Sequence, residues 1–215
     1  MKGIFFNGDL RQTYIAQILR ELYVDKVFDV FMVGKKGLTV VDVGANVGLT
    51  SLYFSQYADK VIAVEPTESH FACLEKMIEF NELKDKIIPM RNAIGVEGGK
   101  REFHHSKNST MNSLSPLVND TGEKEMVEVI TLEQVFEQQN LDEVDFMKID
   151  IEGSEVELIA SESFARVAER IKALSVEYHT WSNRNRGQIV QALEGYGFTI
   201  KTLSTEADLY LAVRL

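Results

Sequence analysis

Two apolar runs separated by a glycine turn constrain the fold of this chain more than any other feature. The first run, Thr39–Val43, is rich in β-branched residues and has the length of a buried parallel strand. Gly44 and Gly48 follow it and allow a sharp turn into a predicted helix over residues 47–57. The second run ends in an acid, Glu65. Strand, turn, helix and strand form a βαβ unit, which predicts an α/β fold with a parallel sheet.

The acid at the end of the second run indicates a nucleoside ligand. A carboxylate accepts two hydrogen bonds at once, so it suits a pair of ribose hydroxyls. The turn is poorly suited to phosphates, because Asn46 replaces the middle glycine of the dinucleotide pattern and no P-loop lysine follows. S-adenosylmethionine (SAM) fits this turn, with its sulfonium near Asp42, whereas an ordinary βα turn would bind nothing. The acid at the next strand end favours the cofactor site, with Asp42, Gly44, Asn46, Gly48, Glu65 and Pro66 as the predicted contacts.

Chain length and patterning predict one domain. At 215 residues the chain is long enough for one sizeable core. We expect a single domain over residues 1–215, with a helical extension over residues 1–35 and a core over residues 38–215. The apolar positions of residues 13–22 repeat with a helical period.

The net charge and the single cysteine limit which binding partners and which cell compartment we expect. The net charge of −10 argues against a broad surface for nucleic acid or anionic membrane, because both would be repelled. Cys73 is the single cysteine and cannot form an internal disulfide, which favours a reduced, cytoplasmic setting. No apolar run approaches the roughly 18 residues of a membrane span. We therefore expect a cytoplasmic protein with neither a nucleic-acid nor a membrane partner.

A second constellation of charged residues follows the strand predicted over residues 144–149. Asp150 and Glu152 come directly after this strand, at the carboxyl edge where open α/β sheets bind ligands. Lys148 lies inside the strand and needs a partner or a route to solvent. Glu155 is explained as an acid at a helix N-terminus.

A third constellation ends the strand predicted over residues 174–178. Glu177 and His179 have the same parity, so they share a face and approach Asp150 from the neighbouring strand. Imidazole suits proton transfer near neutral pH and also binds metals. His70 is expected at the surface, and His104 lies in a polar segment that is either a substrate loop or solvated coil.

Four motifs resemble the FkbM-type family of SAM-dependent methyltransferases. They are Val41–Gly48, Val64–Pro66, Asn92–Gly95 and Lys148–Glu155. The resemblance implies a Rossmann-like class I domain with helices on both faces of a seven-stranded, mostly parallel sheet whose last strand is antiparallel. It also implies O-methylation of a small molecule or sugar as the typical activity. On this resemblance Asn92 or Ala93 lies beside the adenine.

The catalytic hypothesis is in-line attack of a substrate oxygen on the SAM methyl group. His179, Glu177 or Asp150 accepts the hydroxyl proton, Glu152 orients the acceptor, and Asp150 also borders the cofactor. Alternatively, Asp150, Glu177 and His179 hold a divalent cation that lowers the pKa of the hydroxyl. The sequence leaves this choice open, as it does the acceptor and the oligomeric state. Two other functions compete: a methyltransferase fold that binds SAM without catalysis, and a nucleotide-linked oxidoreductase.

Overall fold

The computed structural model describes residues 13–106, 114, 120–179, 186–204 and 209–214. Within these ranges it contains ten strands and eight helices. The chain divides into two compact units, one ending at Arg91 and the other beginning at Asn92. The expected division at residues 35–38 stays a prediction.

The first unit carries the predicted βαβ pattern. Its three strands pair in parallel, and their central residues Val40, Val41 and Ile62 are fully buried. The helical period predicted for the N-terminal segment is confirmed, since Ile15 and Leu22 are buried. In chain order the elements are α1 (Thr13–Tyr23), α2 (Asp29–Met32), β1 (Leu38–Val43), α3 (Leu49–Phe54), β2 (Ala58–Val64), α4 (Glu68–Phe80) and β3 (Ile87–Met90).

The second unit supplies the remaining strands. A capping box starts its first helix: the Thr131 hydroxyl accepts from the Gln134 N–H, and the Gln134 side chain accepts from the Thr131 N–H. Its elements are β4 (Ala93–Ile94), β5 (Gly99–Ser106), β6 (Asp120–Ile130), α5 (Leu132–Gln138), β7 (Phe146–Ile149), α6 (Glu155–Ile159), α7 (Glu162–Ala168), β8 (Ala173–Glu177), α8 (Arg186–Gly195), β9 (Thr199–Ser204) and β10 (Leu209–Val213).

The strand order confirms the predicted sheet. Seven strands form one sheet in the order β3-β2-β1-β7-β8-β10-β9, and β10, the last in the chain, runs antiparallel to both neighbours. A second sheet of three strands has the order β4-β6-β5. His104 lies in β5 and is half-buried, so it belongs to a strand rather than to a coil. Residues 107–113 of the predicted substrate segment lie outside the described residues.

Three helices differ from the sequence prediction, and one of them is the short helix α2, which was not predicted. The helix expected over residues 47–57 is α3, which ends at Phe54 because the chain tightens there into i→i+3 bonds from Gln56 and Tyr57. The helix α7 was not predicted, although Ser161 caps it by accepting from the Phe164 N–H. In the described part of the chain, every helix is too short or too polar to cross a bilayer.

Candidate active site

The turn after β1 has the backbone that its glycines predict. Gly44, Asn46 and Gly48 have φ angles of 81°, 51° and 90°. Asn46 is the residue of these three with a Cβ, and its side chain accepts a hydrogen bond from the Val47 N–H at 2.7 Å. The N–H groups of Gly44 and Ala45 donate to the Val64 carbonyl, which ties the turn to the end of β2. The turn is therefore held in a conformation that few sequences adopt.

Glu65 holds both this turn and the start of α4. Its two carboxylate oxygens accept from the N–H groups of Asn46 and Thr67, each at 2.9 Å. The side chain is buried, but each oxygen keeps a second lone pair for a ligand hydroxyl. The predicted cofactor residue is thus rigidly placed. The Thr67 hydroxyl itself makes no capping bond to α4.

The prediction that His70 lies at the surface is wrong. His70 is 8% exposed, and its Nδ1 lies 3.5 Å from a Glu65 oxygen. His70 lies in the first turn of α4, and this turn places its side chain next to the carboxylate of Glu65. His70 therefore belongs to the surroundings of Glu65.

Asp42 lies at the end of β1 and is fully buried. Its Oδ2 accepts a hydrogen bond from the Ser51 hydroxyl at 2.6 Å, which links the strand to α3. Ser51 did not stand out in the sequence, because a serine inside a predicted helix has no distinctive signal. Asp42 therefore fixes the helix that leaves the turn, and its predicted contact with the cofactor stays a prediction.

Gly48 offers a direct test of how tightly the turn is packed. A Cβ at this position would overlap the Met77 methyl and lie 2.7 Å from Leu74 Cδ1, on a backbone with φ of +90°. We expect Gly48→Ala to lower the free energy of unfolding by about 2–4 kcal/mol, from backbone strain and overpacking together. Urea denaturation measures this loss.

Gly34→Ala is the matched control for Gly48→Ala. Gly34 also has a positive φ, +82°, but a Cβ there would meet no atom within 4 Å. Gly34→Ala should lower the free energy of unfolding only through backbone strain, by roughly 1–2 kcal/mol. Equal losses in the two variants would show that packing against α4 contributes nothing.

Asn92 and Ala93 belong to the second unit. Ala93 is buried in β4, where it pairs with Val129 of β6. The Asn92 amide donates to the Glu128 carbonyl at 3.4 Å. Both residues thus lie at the edge of the three-stranded sheet, and their predicted place beside the adenine stays a prediction.

The ends of β7 and β8 bring together the residues of the second and third constellations. We call this group the His179 cluster: Lys148, Asp150, Glu152, Glu155, Glu177 and His179. The two strands are parallel neighbours, with Lys148 opposite Ser175. The predicted need of Lys148 for a partner is met, because its Nζ lies 2.9 Å from Asp150 Oδ2. The sequence prediction that Asp150, Glu177 and His179 converge is confirmed.

One side of the His179 ring is bound by Glu155. The distance from Nδ1 to Glu155 Oε1 is 2.8 Å, and Glu155 is only 1% exposed. The same carboxylate accepts from the N–H groups of Ile151 and Gly153. Glu155 is therefore more than the helix-terminal acid that the sequence predicts, since it fixes both the loop and the ring.

The other side of the ring faces three carboxylates. Nε2 lies 3.3 Å from Glu152 Oε2, 3.8 Å from Asp150 Oδ1 and 3.9 Å from Glu177 Oε1. Glu152 reaches this position from a left-handed backbone conformation with φ of 55°. A non-glycine residue in this region stores strain, a feature that concentrates at functional sites.

Burial and charge shift the protonation of the cluster. Burial alone would lower the pKa of His179, but the hydrogen bond to Glu155 and the charges of Glu152 and Asp150 outweigh it and raise that pKa to about 10. Burial raises the pKa of Glu152 to about 9. Burial also opposes ionisation of Asp150, yet Lys148 and His179 prevail and hold the pKa of Asp150 below its ordinary value. At neutral pH, His179 is therefore a cation beside an ionised Asp150.

The cluster also has the donor set of a cation site. One ligand atom each from Asp150, Glu152 and His179 lies within 4.8 Å of the others. The sequence placed Glu177 in this trio, whereas the structure places Glu152 there and Glu177 beside it.

A known protein family matches most of this chain. A family model described as the methyltransferase FkbM domain matches residues 42–200. This range contains the Gly44 turn, Glu65 and the His179 cluster. The chain belongs to the FkbM methyltransferase family. The family resemblance predicted from the sequence motifs is thereby confirmed, and in this FkbM-family protein the three constellations are parts of one methyltransferase.

Two curated relatives of this FkbM-family chain are methyltransferases from a fungus and a bacterium. Methyltransferase sdnD of Sordaria araneosa is 26% identical, over 85% of this chain and 82% of the relative. The 31-O-demethyl-FK506 methyltransferase FkbM of Streptomyces tacrolimicus is 25% identical, over 86% of this chain and 82% of the relative.

Solved structures share the fold. Magnesium protoporphyrin IX methyltransferase (ChlM) from Synechocystis PCC 6803, with bound SAM, has a TM-score of 0.53 at 16% identity and covers 100% of this chain and 89% of its own. An rRNA methylase from Streptococcus thermophilus has a TM-score of 0.53 at 8% identity, over 97% and 99%. These likenesses show a class I methyltransferase fold. Because one of these proteins is an rRNA methylase, the fold does not support the prediction that nucleic acid is excluded, and that prediction rests on net charge.

Proposed function

We propose that this FkbM-family protein is a SAM-dependent O-methyltransferase that acts on a hydroxyl group of a small molecule or sugar. The observation that carries the proposal is the His179 cluster, in which one half-buried imidazole faces three carboxylates. Such a group suits a neutral hydroxyl, which must lose a proton when its oxygen is methylated. The name of the Streptomyces relative, a 31-O-demethyl-FK506 methyltransferase, supports a hydroxyl acceptor on a natural product.

The Gly44 turn and Glu65 fit SAM by the chemistry of their donors and acceptors. Glu65 offers acceptor lone pairs to two ribose hydroxyls, and the turn offers neither a lysine nor a middle glycine for phosphates. We assign cofactor binding to the residues predicted from the sequence, namely Asp42, Gly44, Asn46, Gly48, Glu65, Pro66, Asn92, Ala93 and Asp150. When bound, SAM supplies a methyl group on a sulfonium, which leaves as a neutral thioether.

The protein contributes alignment first and proton removal second. Holding two reactants in line can account for about 7–11 kcal/mol of a barrier, whereas a general base adds about 10²–10⁴ in rate. We assign proton removal to Glu177, because its side chain is 33% exposed and can pass the proton to water. Glu152, whose backbone is fixed by Glu155, orients the acceptor.

A paired panel of acceptors tests this proposal. Purified protein and SAM are incubated with alcohols, phenols and sugars, each beside its amine or thiol analogue, and with RNA. Release of S-adenosylhomocysteine (SAH) and methylated product are both measured. We expect methyl transfer to hydroxyl acceptors and none to the matched analogues. Transfer to amines or to RNA, or SAM binding with no transfer to any acceptor, would contradict the proposal.

A further inference from the structure

Nε2 of His179 and the carboxylates around it are spaced like the ligands of a metal ion. We infer that Asp150, Glu152 and His179 form a binding site for one divalent first-row cation, with Mn²⁺ as the cation of choice. All three residues lie in the second unit, directly after β7 and β8.

The distances support this site. A cation with bonds of about 2.1 Å in octahedral geometry places neighbouring ligand atoms about 3.0 Å apart and opposite ones about 4.2 Å apart. Nε2 lies 3.3 Å from Glu152 Oε2 and 3.8 Å from Asp150 Oδ1, and the ligand atoms of the trio are all within 4.8 Å of one another. The two distances from Nε2 lie between the values for neighbouring and opposite ligand atoms.

Glu155 supports the same site because it fixes the orientation of the His179 ring. It binds Nδ1 of His179 at 2.8 Å, so the ring presents Nε2 to Asp150 and Glu152. Histidine ligands of metals characteristically bind a carboxylate through their other nitrogen, which fixes the ring and raises its basicity. Glu155 is buried and held by the N–H groups of Ile151 and Gly153, so the orientation is fixed before any ion arrives.

The charges of the cluster also favour a cation. Four carboxylates surround one lysine and one imidazole. Lys148 binds Oδ2 of Asp150, and the other oxygen, Oδ1, is the one that faces His179. A divalent ion at this position would displace the Nε2 proton of His179 and the proton of Glu152, and it would then balance the carboxylates in a half-buried site, where uncompensated charge is costly.

The ligand types favour Mn²⁺. Carboxylate oxygens suit Mg²⁺, Ca²⁺ and Mn²⁺, whereas imidazole suits first-row transition metals, so a mixed set suits Mn²⁺ best.

The chemical role of the ion rests on the proposed function: the ion would bind the acceptor hydroxyl and lower the pKa of that hydroxyl, and Glu177 would take the proton. Binding itself is independent of that role.

Mn²⁺ titration of the full chain, followed by electron paramagnetic resonance, tests the site. We expect one ion per chain with a Kd of about 10⁻⁵ M or tighter. His179→Gln and Glu152→Gln should weaken binding at least ~100-fold, and Glu155→Gln by ~10–100-fold because it acts through the ring. Glu157→Gln is the matched control, because Glu157 is an exposed acid of the same helix, and it should bind as the unchanged protein does.

Spin-echo spectroscopy of the unchanged protein keeps the test decisive if a variant fails to fold. Coupling of bound Mn²⁺ to an imidazole nitrogen is expected. Lack of saturable binding below millimolar Mn²⁺, Zn²⁺ or Mg²⁺, or binding without nitrogen coupling, overturns the inference. Methyl transfer to hydroxyls that persists in a chelator would leave the proposed function standing without the metal. Metal binding without hydroxyl methylation would remove the proposed function and keep the site.

Discussion

Glu65→Ala is expected to weaken binding of SAM and SAH by at least ~100-fold. Two ribose hydroxyls bonded to an ionised carboxylate contribute about 1.5–3 kcal/mol each, which together corresponds to ~10²–10⁴ in affinity. The substitution also removes the acceptor of the Asn46 and Thr67 N–H groups, so the turn loses its attachment. Calorimetric titration with SAM, SAH and NAD measures the effect, and we expect no binding of NAD.

Glu68→Ala is the matched control for Glu65→Ala. Glu68 is an acid at the start of α4, three residues further on, but its side chain is 75% exposed and pairs with Arg91 at the surface. Its loss should leave SAM affinity within a few fold, since exposed ion pairs contribute about 0–1 kcal/mol. Unchanged SAM binding in Glu65→Ala, with the fold intact by circular dichroism, would remove Glu65 from the cofactor site. Binding of NAD by the unchanged protein would favour the oxidoreductase alternative.

The contacts of Glu65 were predictable because they lie within one βαβ unit. Glu65 reaches Asn46 across one strand, turn and helix, and Thr67 two residues on. A βαβ unit fixes these relationships, so glycine spacing and a terminal acid are sufficient to predict them. The burial of His70 was missed because the sequence around a histidine in a helix does not show that its side chain packs against Glu65, at the end of the preceding strand.

The His179 cluster was predictable only in part. The parity of Glu177 and His179 and the order of parallel strands place three side chains at one sheet edge. They say nothing about Glu155, which reaches His179 across 24 residues and two further elements. Its role depends on the direction in which the first turn of α6 points its side chains. The position of Glu152 depends on a left-handed backbone angle that its sequence disfavours.

The three-stranded sheet was missed for a similar reason. Strands β5 and β6 each have a readable pattern. Their assembly with β4 depends on the parallel pairing of Ala93 and Ile94 with Val129 and Ile130, some 36 residues away. Two residues carry too little pattern to predict a strand. Non-local pairing of short segments is therefore the part of this fold that the sequence does not reveal.

His179→Ala is expected to lower kcat by ~10²–10⁴ while SAM affinity changes by less than about threefold. Nε2 of His179 lies within 3.9 Å of Glu152, Asp150 and Glu177, so the substitution disturbs both the acid that removes the proton and the acid that orients the acceptor. The binding contacts of Glu65 lie in a different constellation and are unaffected. Single-turnover methyl transfer, together with SAM calorimetry, separates the two effects.

His105→Ala is the control for His179→Ala, because His105 also lies beside a carboxylate, 3.5 Å from Glu125, but in β5 rather than at a strand end of the main sheet. Its turnover should stay within a few fold of the unchanged protein. Loss of His179 also leaves Glu155 buried without its imidazole partner, a cost of about 1–3 kcal/mol in stability. Thermal unfolding of both variants therefore accompanies the kinetics. A folded His179→Ala protein with full turnover would remove His179 from catalysis.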